Sequence, residues 1–149
     1  MTDNPITGHG VQLVVDCREP HALADWWAET LAWQVEPQDE NFIRSMIDQG
    51  LASEADTVEH RGKLVWREGC AINPPEGSAT TGLRMLFQWV PEPKAGKNRV
   101  HVDLRPVGVP AEELRERLLA RGAEFLHEGR QGPHTWVTMA DPEGNEFCL

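Results

Sequence analysis

The chain repeats one order of predicted elements, a strand, a helix and then three strands, in each of its halves. Residues 10–17 and 99–104 are rich in β-branched side chains and predict the two leading strands. They align at an offset of 89 residues, and Pro20 and Pro110, which open the helices that follow, are 90 residues apart. An internal duplication limits the fold more than any other feature, because each half must form the same structural unit.

The other predicted elements complete the two repeats. In the first half, strands are predicted at 33–36, 62–69 and 83–90, with an extra amphipathic helix over 41–52 that Asn41 caps. In the second half, strands are predicted at 123–127, 135–139 and 146–149. We therefore predict an α+β fold in which two paired βαβββ modules form a cupped mixed sheet. Residues 1–9 are expected to be an N-terminal tail and 10–149 a single domain, with modules at about 10–92 and 98–149.

The charge balance excludes several kinds of partner. Fourteen Lys and Arg against 24 Asp and Glu give a net charge of -10, whereas a nucleic-acid binder needs a basic face. The same excess of acid disfavours an anionic membrane surface, and no apolar run is long enough to span a bilayer. The sequence has three cysteines and no CxxC pair, which predicts a cytoplasmic protein with buried thiols.

Six tryptophans and no tyrosine indicate that some aromatic rings line a cavity. Trp27 and Trp136 are the candidate rings for contact with a substrate, and Gln88 is the candidate polar contact. Packing of Trp26 and Trp27 inside the fold is the alternative for the helical pair.

Three polar residues occupy matched places in the duplicated pattern. Gln12 and His101 share one position in the two leading strands, and Glu146 lies on the last strand. An amide oxygen, an imidazole and a carboxylate are competent ligands of a divalent metal, and three ligands leave coordination positions open. The pattern predicts a metal site formed by these three residues. A core histidine and a surface carboxylate remain the alternatives.

Two segments resemble a known superfamily. Residues 98–104 (NRVHVDL) and 140–148 (ADPEGNEFC) are similar to the signature strands of the glyoxalase, bleomycin-resistance and dioxygenase proteins, the vicinal oxygen chelate superfamily. Residues 16–20, 90–94 and 97–99 resemble the glyoxalase-like proteins of high-GC Gram-positive bacteria. The resemblance covers residues 10–149. It implies paired βαβββ modules and one divalent ion (Zn, Ni, Mn or Fe) held by His101, Glu146 and Gln12. It also suggests Gln88 as a fourth ligand, although Arg84 has the same strand alternation.

The resemblance implies a metal-dependent enzyme, a lyase, isomerase or dioxygenase, that acts on a small oxygenated molecule. The first module has no acid between Leu83 and Val90, unlike glyoxalase I, and it has Gln12 where an extradiol dioxygenase would have its second histidine. The alternative is a non-catalytic protein that binds a small molecule or antibiotic, such as a planar cation. A homodimer is also expected, because the sheet edges need covering.

Overall fold

The computed structural model describes residues 10–149, which divide into two compact units with the boundary between Trp89 and Val90. The predicted tail, residues 1–9, lies outside the described residues. No helix in the described part of the chain is long and apolar enough to cross a bilayer. No disulfide joins the three cysteines, all of which lie in this part.

The first unit contains one four-stranded sheet, a separate hairpin and two helices. Its elements are β1 (Gln12–Cys17), α1 (Pro20–Leu31), β2 (Gln34–Val35), α2 (Glu40–Asp48), a 3-10 turn (Glu54–Asp56), β3 (Thr57–His60), β4 (Lys63–Trp66), β5 (Gly69–Asn73) and β6 (Arg84–Trp89). The sheet order is β1-β6-β5-β2, with β1 parallel to β6 and the other pairs antiparallel. Within residues 10–149, strands β3 and β4 pair only with each other.

The second unit has the same topology without the additional elements. It consists of β7 (Val102–Asp103), α3 (Ala111–Ala120), β8 (Glu124–Gln131), β9 (His134–Ala140) and β10 (Glu146–Cys148). Its sheet order is β7-β10-β9-β8, and β7 is parallel to β10. Removal of the segment from α2 to β4 from the first unit leaves the same βαβββ order. The predicted α+β class and the paired modules are confirmed.

Strand alternation gives each sheet one buried face and one polar face. Met85 and Phe87 of β6 are buried, and Phe147 of β10 is fully buried. Helix α1 packs against β5 and β6, and its Trp26 and Trp27 rings meet edge to face with centroids 5.1 Å apart. We call the opposite side of each sheet, on which Gln12 or Glu146 lies, the polar face.

Two predictions for the first module were wrong in detail. The strand predicted at 62–69 ends at Trp66 and belongs to the separate hairpin, whereas the third strand of the module is β5. The pattern misled because Gly69 reads as a strand end, yet this glycine begins β5. Helix α2 is capped by Asp39 rather than Asn41, since Asp39 Oδ1 accepts the backbone N–H of Asn41 at 2.8 Å.

In the second module, β8 extends four residues beyond the predicted end at His127. The glycine-containing segment after His127 predicts a loop, but Gly129 lies in the strand opposite Trp136. A Cβ atom on Gly129 would lie 2.1 Å from the Trp136 ring, so the glycine allows the indole to cover the strand. The turn between β8 and β9 instead contains Gly132, with φ of +59°.

His21 at the start of α1 is the one histidine among the buried polar residues of residues 10–149. Its Nε2 donates to the Trp66 carbonyl at 2.8 Å, which ties α1 to β4. Its ring lies 5.2 Å from that of His60, whose Nε2 is 2.7 Å from Asp25 Oδ2. Burial holds the pKa of His21 below its ordinary value of 6.5, because it disfavours the charged ring more than the carbonyl contact favours it.

This lowered pKa predicts a loss of stability in acid. The unfolded chain takes up the His21 proton first, so the contribution of His21 is present above pH 6.5 and is lost as the pH falls below it. The free energy of unfolding of the wild type should fall more between pH 7 and pH 5 than that of His21→Gln, measured by chemical denaturation. Exposed His127→Gln is the control and should follow the wild type. Equal slopes for all three proteins would contradict the prediction.

Candidate functional site

The polar face of the first unit presents Gln12 directly beside Arg84. The two residues are partners in the parallel β1–β6 register. Arg84 Nη1 donates to Gln12 Oε1 at 2.5 Å, while its Nε and Nη2 donate to the Glu36 carboxylate at 2.9 and 3.1 Å. The amide oxygen that the sequence offers to a metal therefore lies against a guanidinium cation.

Glu36 completes this hydrogen-bonded cluster. The bonds from Arg84, and then the bond from Asn73 Nδ2 at 3.0 Å, hold the pKa of Glu36 below its ordinary value. The same contact raises the pKa of Arg84. Both groups stay charged around neutral pH, which keeps a positive charge next to Gln12 Oε1.

The first unit also contains a cavity of about 900 Å³, beside the ends of β4, β5 and β6 that carry Trp66, Gly69 and Gln88. Gln88, Leu86 and Gly69 lie at the sheet end of the cavity, and two tryptophan rings supply its aromatic surface. The lining residues are Leu51, Ala52, Ala55, Asp56, Trp66, Arg67, Glu68, Gly69, Leu86, Gln88 and Trp89. We call it the first-unit cavity.

Gln38 holds the wall of this cavity in place. Its Oε1 accepts the Trp66 N–H at 2.8 Å, and its Nε2 donates to the Gly69 carbonyl at 2.8 Å. One side chain thus bridges the last residue of β4 and the first residue of β5. The Trp66 carbonyl accepts from His21, so the backbone of this tryptophan is fixed on both sides.

On the polar face of the second unit, Glu146 is held by two hydrogen bonds. Lys94 Nζ donates to its Oε1 at 3.1 Å, and the Asn98 N–H donates to its Oε2 at 3.2 Å. Burial alone would raise the pKa of Glu146, but backbone hydrogen bonds and the Lys94 ammonium outweigh it and lower the pKa. The carboxylate is charged, 14% exposed and already paired with a cation.

His101, which immediately precedes β7, and Glu146, the first residue of β10, each stand one residue before the paired Val102 and Phe147. The two predicted ligands therefore occupy corresponding positions on neighbouring chain segments. His101 Nε2 lies 3.2 Å from Asp103 Oδ1. Ligand atoms of His101, Asp103 and Cys148 all lie within 4.8 Å of one another. The structure therefore gives His101 two neighbours that the predicted ligand set did not include.

The two tryptophans predicted to contact a substrate lie in different surroundings. Trp27 is 4% exposed on α1, packed against Trp26. Trp136 is half-buried on β9 and lines a second cavity of about 490 Å³ together with Arg115 and Glu128. Of the three predicted contact residues, Gln88 lies in the first-unit cavity.

Comparison of the two units shows what sequence reasoning missed. Gln12 of the first unit corresponds to His101 of the second, and Arg84, the register partner of Gln12, corresponds to Glu146. The two units therefore have opposite charges at this position. Alternation alone left Arg84 and Gln88 equivalent, and the strand pairing separates them. The His-x-Asp spacing on a leading strand was the available signal for Asp103.

Whether these residues fit the divalent ion that the superfamily implies depends on their neighbours. Gln12 and Glu146 each lie within hydrogen-bond distance of a cationic side chain, Arg84 and Lys94, which a metal ion would have to displace. In the contacts described for residues 10–149, no cationic Lys or Arg side chain pairs with His101, Asp103 or Cys148. The donor chemistry thus fits a metal better at His101 than at Gln12.

Known structures share this arrangement of elements. Fosfomycin resistance protein FosX from Listeria monocytogenes is 11% identical, with 97% of this chain and 92% of that chain covered and a TM-score of 0.57. A member of the glyoxalase/bleomycin resistance protein/dioxygenase superfamily from Sphaerobacter thermophilus is 12% identical, with 97% of each chain covered and a TM-score of 0.55. A glyoxalase family protein from Bacillus cereus is 15% identical, with 100% and 96% covered and a TM-score of 0.55. At these identities the likeness establishes the fold.

The family match and the fold place the chain in the glyoxalase, bleomycin-resistance and dioxygenase superfamily, the vicinal oxygen chelate class. A family model for the glyoxalase-like domain matches residues 12–149, and the chain belongs to that family. A comparison with curated proteins finds no significant match.

Gly69 provides a test of how the first-unit cavity is built. A Cβ atom there would lie 2.9 Å from the Phe87 carbonyl oxygen and 3.3 Å from Leu86 Cδ1, so β5 and β6 would have to separate. We expect Gly69→Ala to lower the free energy of unfolding by about 1–3 kcal/mol, the usual cost of overpacking. Gly10→Ala, with nothing within 4 Å, is the control and should change stability by less than about 0.5 kcal/mol. Equal stability of the two variants in urea denaturation would show that the strands do not approach this closely.

Proposed function

We propose that this glyoxalase-like protein binds a small oxygenated molecule with a flat apolar part, and that the first-unit cavity holds it. The observation that supports this function is the combination of about 900 Å³ of space with Trp66, Trp89 and Gln88 in its lining. Ligand sites usually have about 300–1,000 Å³, mostly apolar walls and a few polar groups that orient the ligand.

The lining narrows the chemical class of the ligand. Trp89 is 40% exposed, so its ring is available for stacking. Gln88 offers a donor and an acceptor to the oxygens of the ligand. Arg67 spends its Nε and Nη2 donors on backbone carbonyls, whereas Asp56 and Glu68 add negative charge. A neutral or cationic planar molecule fits this lining better than an anion.

Binding without metal-dependent turnover is the better supported function. Two of the three metal ligands that the superfamily implies, Gln12 and Glu146, already contact cationic side chains. The ligand-contact role of Gln88, by contrast, needs no change in its surroundings. Trp27 and Trp136 stay predictions as contact residues.

Ligand binding is tested with a panel of planar neutral and cationic aromatic molecules, followed by calorimetry and tryptophan fluorescence. Trp89→Ala should weaken binding about 5–10-fold through the loss of a stacking surface. Trp33→Phe removes a tryptophan that does not line the cavity and is the matched control. Failure of every compound to bind the wild type, or equal weakening by the two variants, would refute the proposed function.

The second candidate function is a metal-dependent lyase, isomerase or dioxygenase. It is favoured by the corresponding positions of His101, just before β7, and Glu146, on β10. A further structure of FosX from Listeria monocytogenes contains Mn(II) and 1S,2S-dihydroxypropylphosphonic acid. A metal here would polarise a substrate oxygen. The ligand role of Gln12 stays a prediction.

This second candidate predicts metal loss when either ligand is changed. Protein purified without chelator should contain Zn, Ni, Mn or Fe in near-equimolar amount, and His101→Gln and Glu146→Gln should each remove most of it. Arg117→Gln, an exposed change on α3, is the control. Elemental analysis that finds only traces in the wild type, or full retention in Glu146→Gln, would reject this function.

The proposal also includes a homodimer and a cytoplasmic location. Strand β8 is an edge strand with Phe125 and Leu126 each 42% exposed, and a second copy would cover such an edge. The absence of disulfides among the three cysteines suits a reducing compartment. Light scattering of the purified chain measures the dimer directly, and a monomer mass would exclude it.

A further inference from the structure

We propose that the second unit has a metal site formed by His101, Asp103 and Cys148, a set that differs from the predicted ligands in two of its three members. The nitrogen, oxygen and sulfur atoms of these side chains lie within 4.8 Å of one another. The site is independent of the first-unit cavity, so either proposal can fail alone.

The backbone explains why these three residues meet. His101 and Asp103 are two residues apart, so strand alternation directs both side chains to one face. Cys148 is the register partner of Asp103 in the parallel pairing of β10 with β7. The β7–β10 ladder therefore places Asp103 beside Cys148, and His101 joins them from the residue just before β7.

The contacts between these side chains also suit an ion. His101 Nε2 and Asp103 Oδ1 face each other at 3.2 Å, and within the described residues His101 is the sole ion-pair partner of Asp103. Two ligand atoms on one zinc ion are roughly 3.3–3.8 Å apart, given metal–ligand bonds of about 2.0–2.3 Å. The widest separation in the cluster must shorten by about 1 Å, which exposed His101 and Asp103 can supply by side-chain rotation.

Cys148 adds the ligand that selects the metal. A thiolate favours zinc and similar borderline ions over magnesium or calcium. The thiol releases its proton to solvent when the sulfur binds the ion, so binding weakens as the pH falls. Thr138 Oγ1 lies 3.5 Å from Cys148 Sγ and would donate a hydrogen bond to the thiolate, which would help to orient this ligand.

Glu146 lies outside this set although it is on the same strand. Its two oxygens accept from Lys94 and from the Asn98 N–H, so it orders the segment before β7 rather than offering a free carboxylate. This difference separates the proposed site from the His101 and Glu146 pair that the superfamily implies.

The test titrates the full chain, freed of metal with a chelator, with Co²⁺ alone. We expect one ion per chain and a near-ultraviolet band from thiolate-to-cobalt charge transfer. Cys148→Ser should lose the band and at least about ten-fold in affinity, and Asp103→Asn should keep the band but bind at least about ten-fold more weakly. Glu124→Gln, an exposed carboxylate change on β8, is the matched control and should keep both. Absence of the band in the wild type, its survival in Cys148→Ser, or an equal loss of affinity in Asp103→Asn and Glu124→Gln would overturn the site.

Thiol labelling covers the case in which Cys148→Ser does not fold. Zn²⁺ should protect Cys148 of the wild type from alkylation, as mapped by mass spectrometry of the labelled peptides. Cys17 and Cys70 are each 3% exposed, and burial raises the pKa of Cys70 to about 11, so both should resist labelling with or without zinc. Unchanged labelling of Cys148 at saturating Zn²⁺ would also overturn the proposal.

Discussion

The parallel pairing of the first and last strand in each unit is the constraint on which the sites depend. It joins β1 to β6 and β7 to β10, segments that lie far apart along the chain. Because the side chains of a strand alternate, the register of this pairing decides which polar groups share a face and a level. A shift of one residue in β10 would turn Glu146 and Cys148 toward the side where Phe147 is buried. The hydrophobic requirement of the buried face thus fixes the polar arrangement on the other.

The two units share one strand register, but the side chains that this register brings together differ in charge. In the first unit Arg84 lies directly beside Gln12, and Glu36 neutralises the charge of Arg84. In the second unit the corresponding positions are those of His101 and Glu146. A duplicated fold therefore does not imply a duplicated donor set. The Arg84 guanidinium beside Gln12 in the first unit, and the group of His101, Asp103 and Cys148 in the second, explain why metal binding is better supported on the second sheet.

The fold could be predicted from the sequence because apolar residues recur with the periods of strands and helices. Apolar alternation and the proline-opened helices locate most elements of both modules, including the strands that carry Gln12 and Glu146. The prediction failed at β5, because Gly69 resembles a strand end while its missing side chain serves close packing against Phe87. It also missed the neighbours of His101. The meeting of Cys148 with Asp103 depends on a strand register that no local pattern contains, and the pairing of Glu146 with Lys94 depends on where an irregular segment runs.

The segment from α2 to β4 places part of the cavity lining of this protein outside the strand ladder of its sheet. It interrupts the module between its second and third strands, adds no strand to the four-stranded sheet, and supplies much of the first-unit cavity wall. The Gln38 side chain joins the last residue of this segment, Trp66, to Gly69 of the sheet through hydrogen bonds to the backbone of both residues. Substitutions at exposed cavity-lining positions of the insert, such as Leu51, change the ligand surface while the strand ladder of the sheet stays intact. Ile43 of α2 is fully buried, so the insert is also part of the core, and specificity can vary only at its exposed positions.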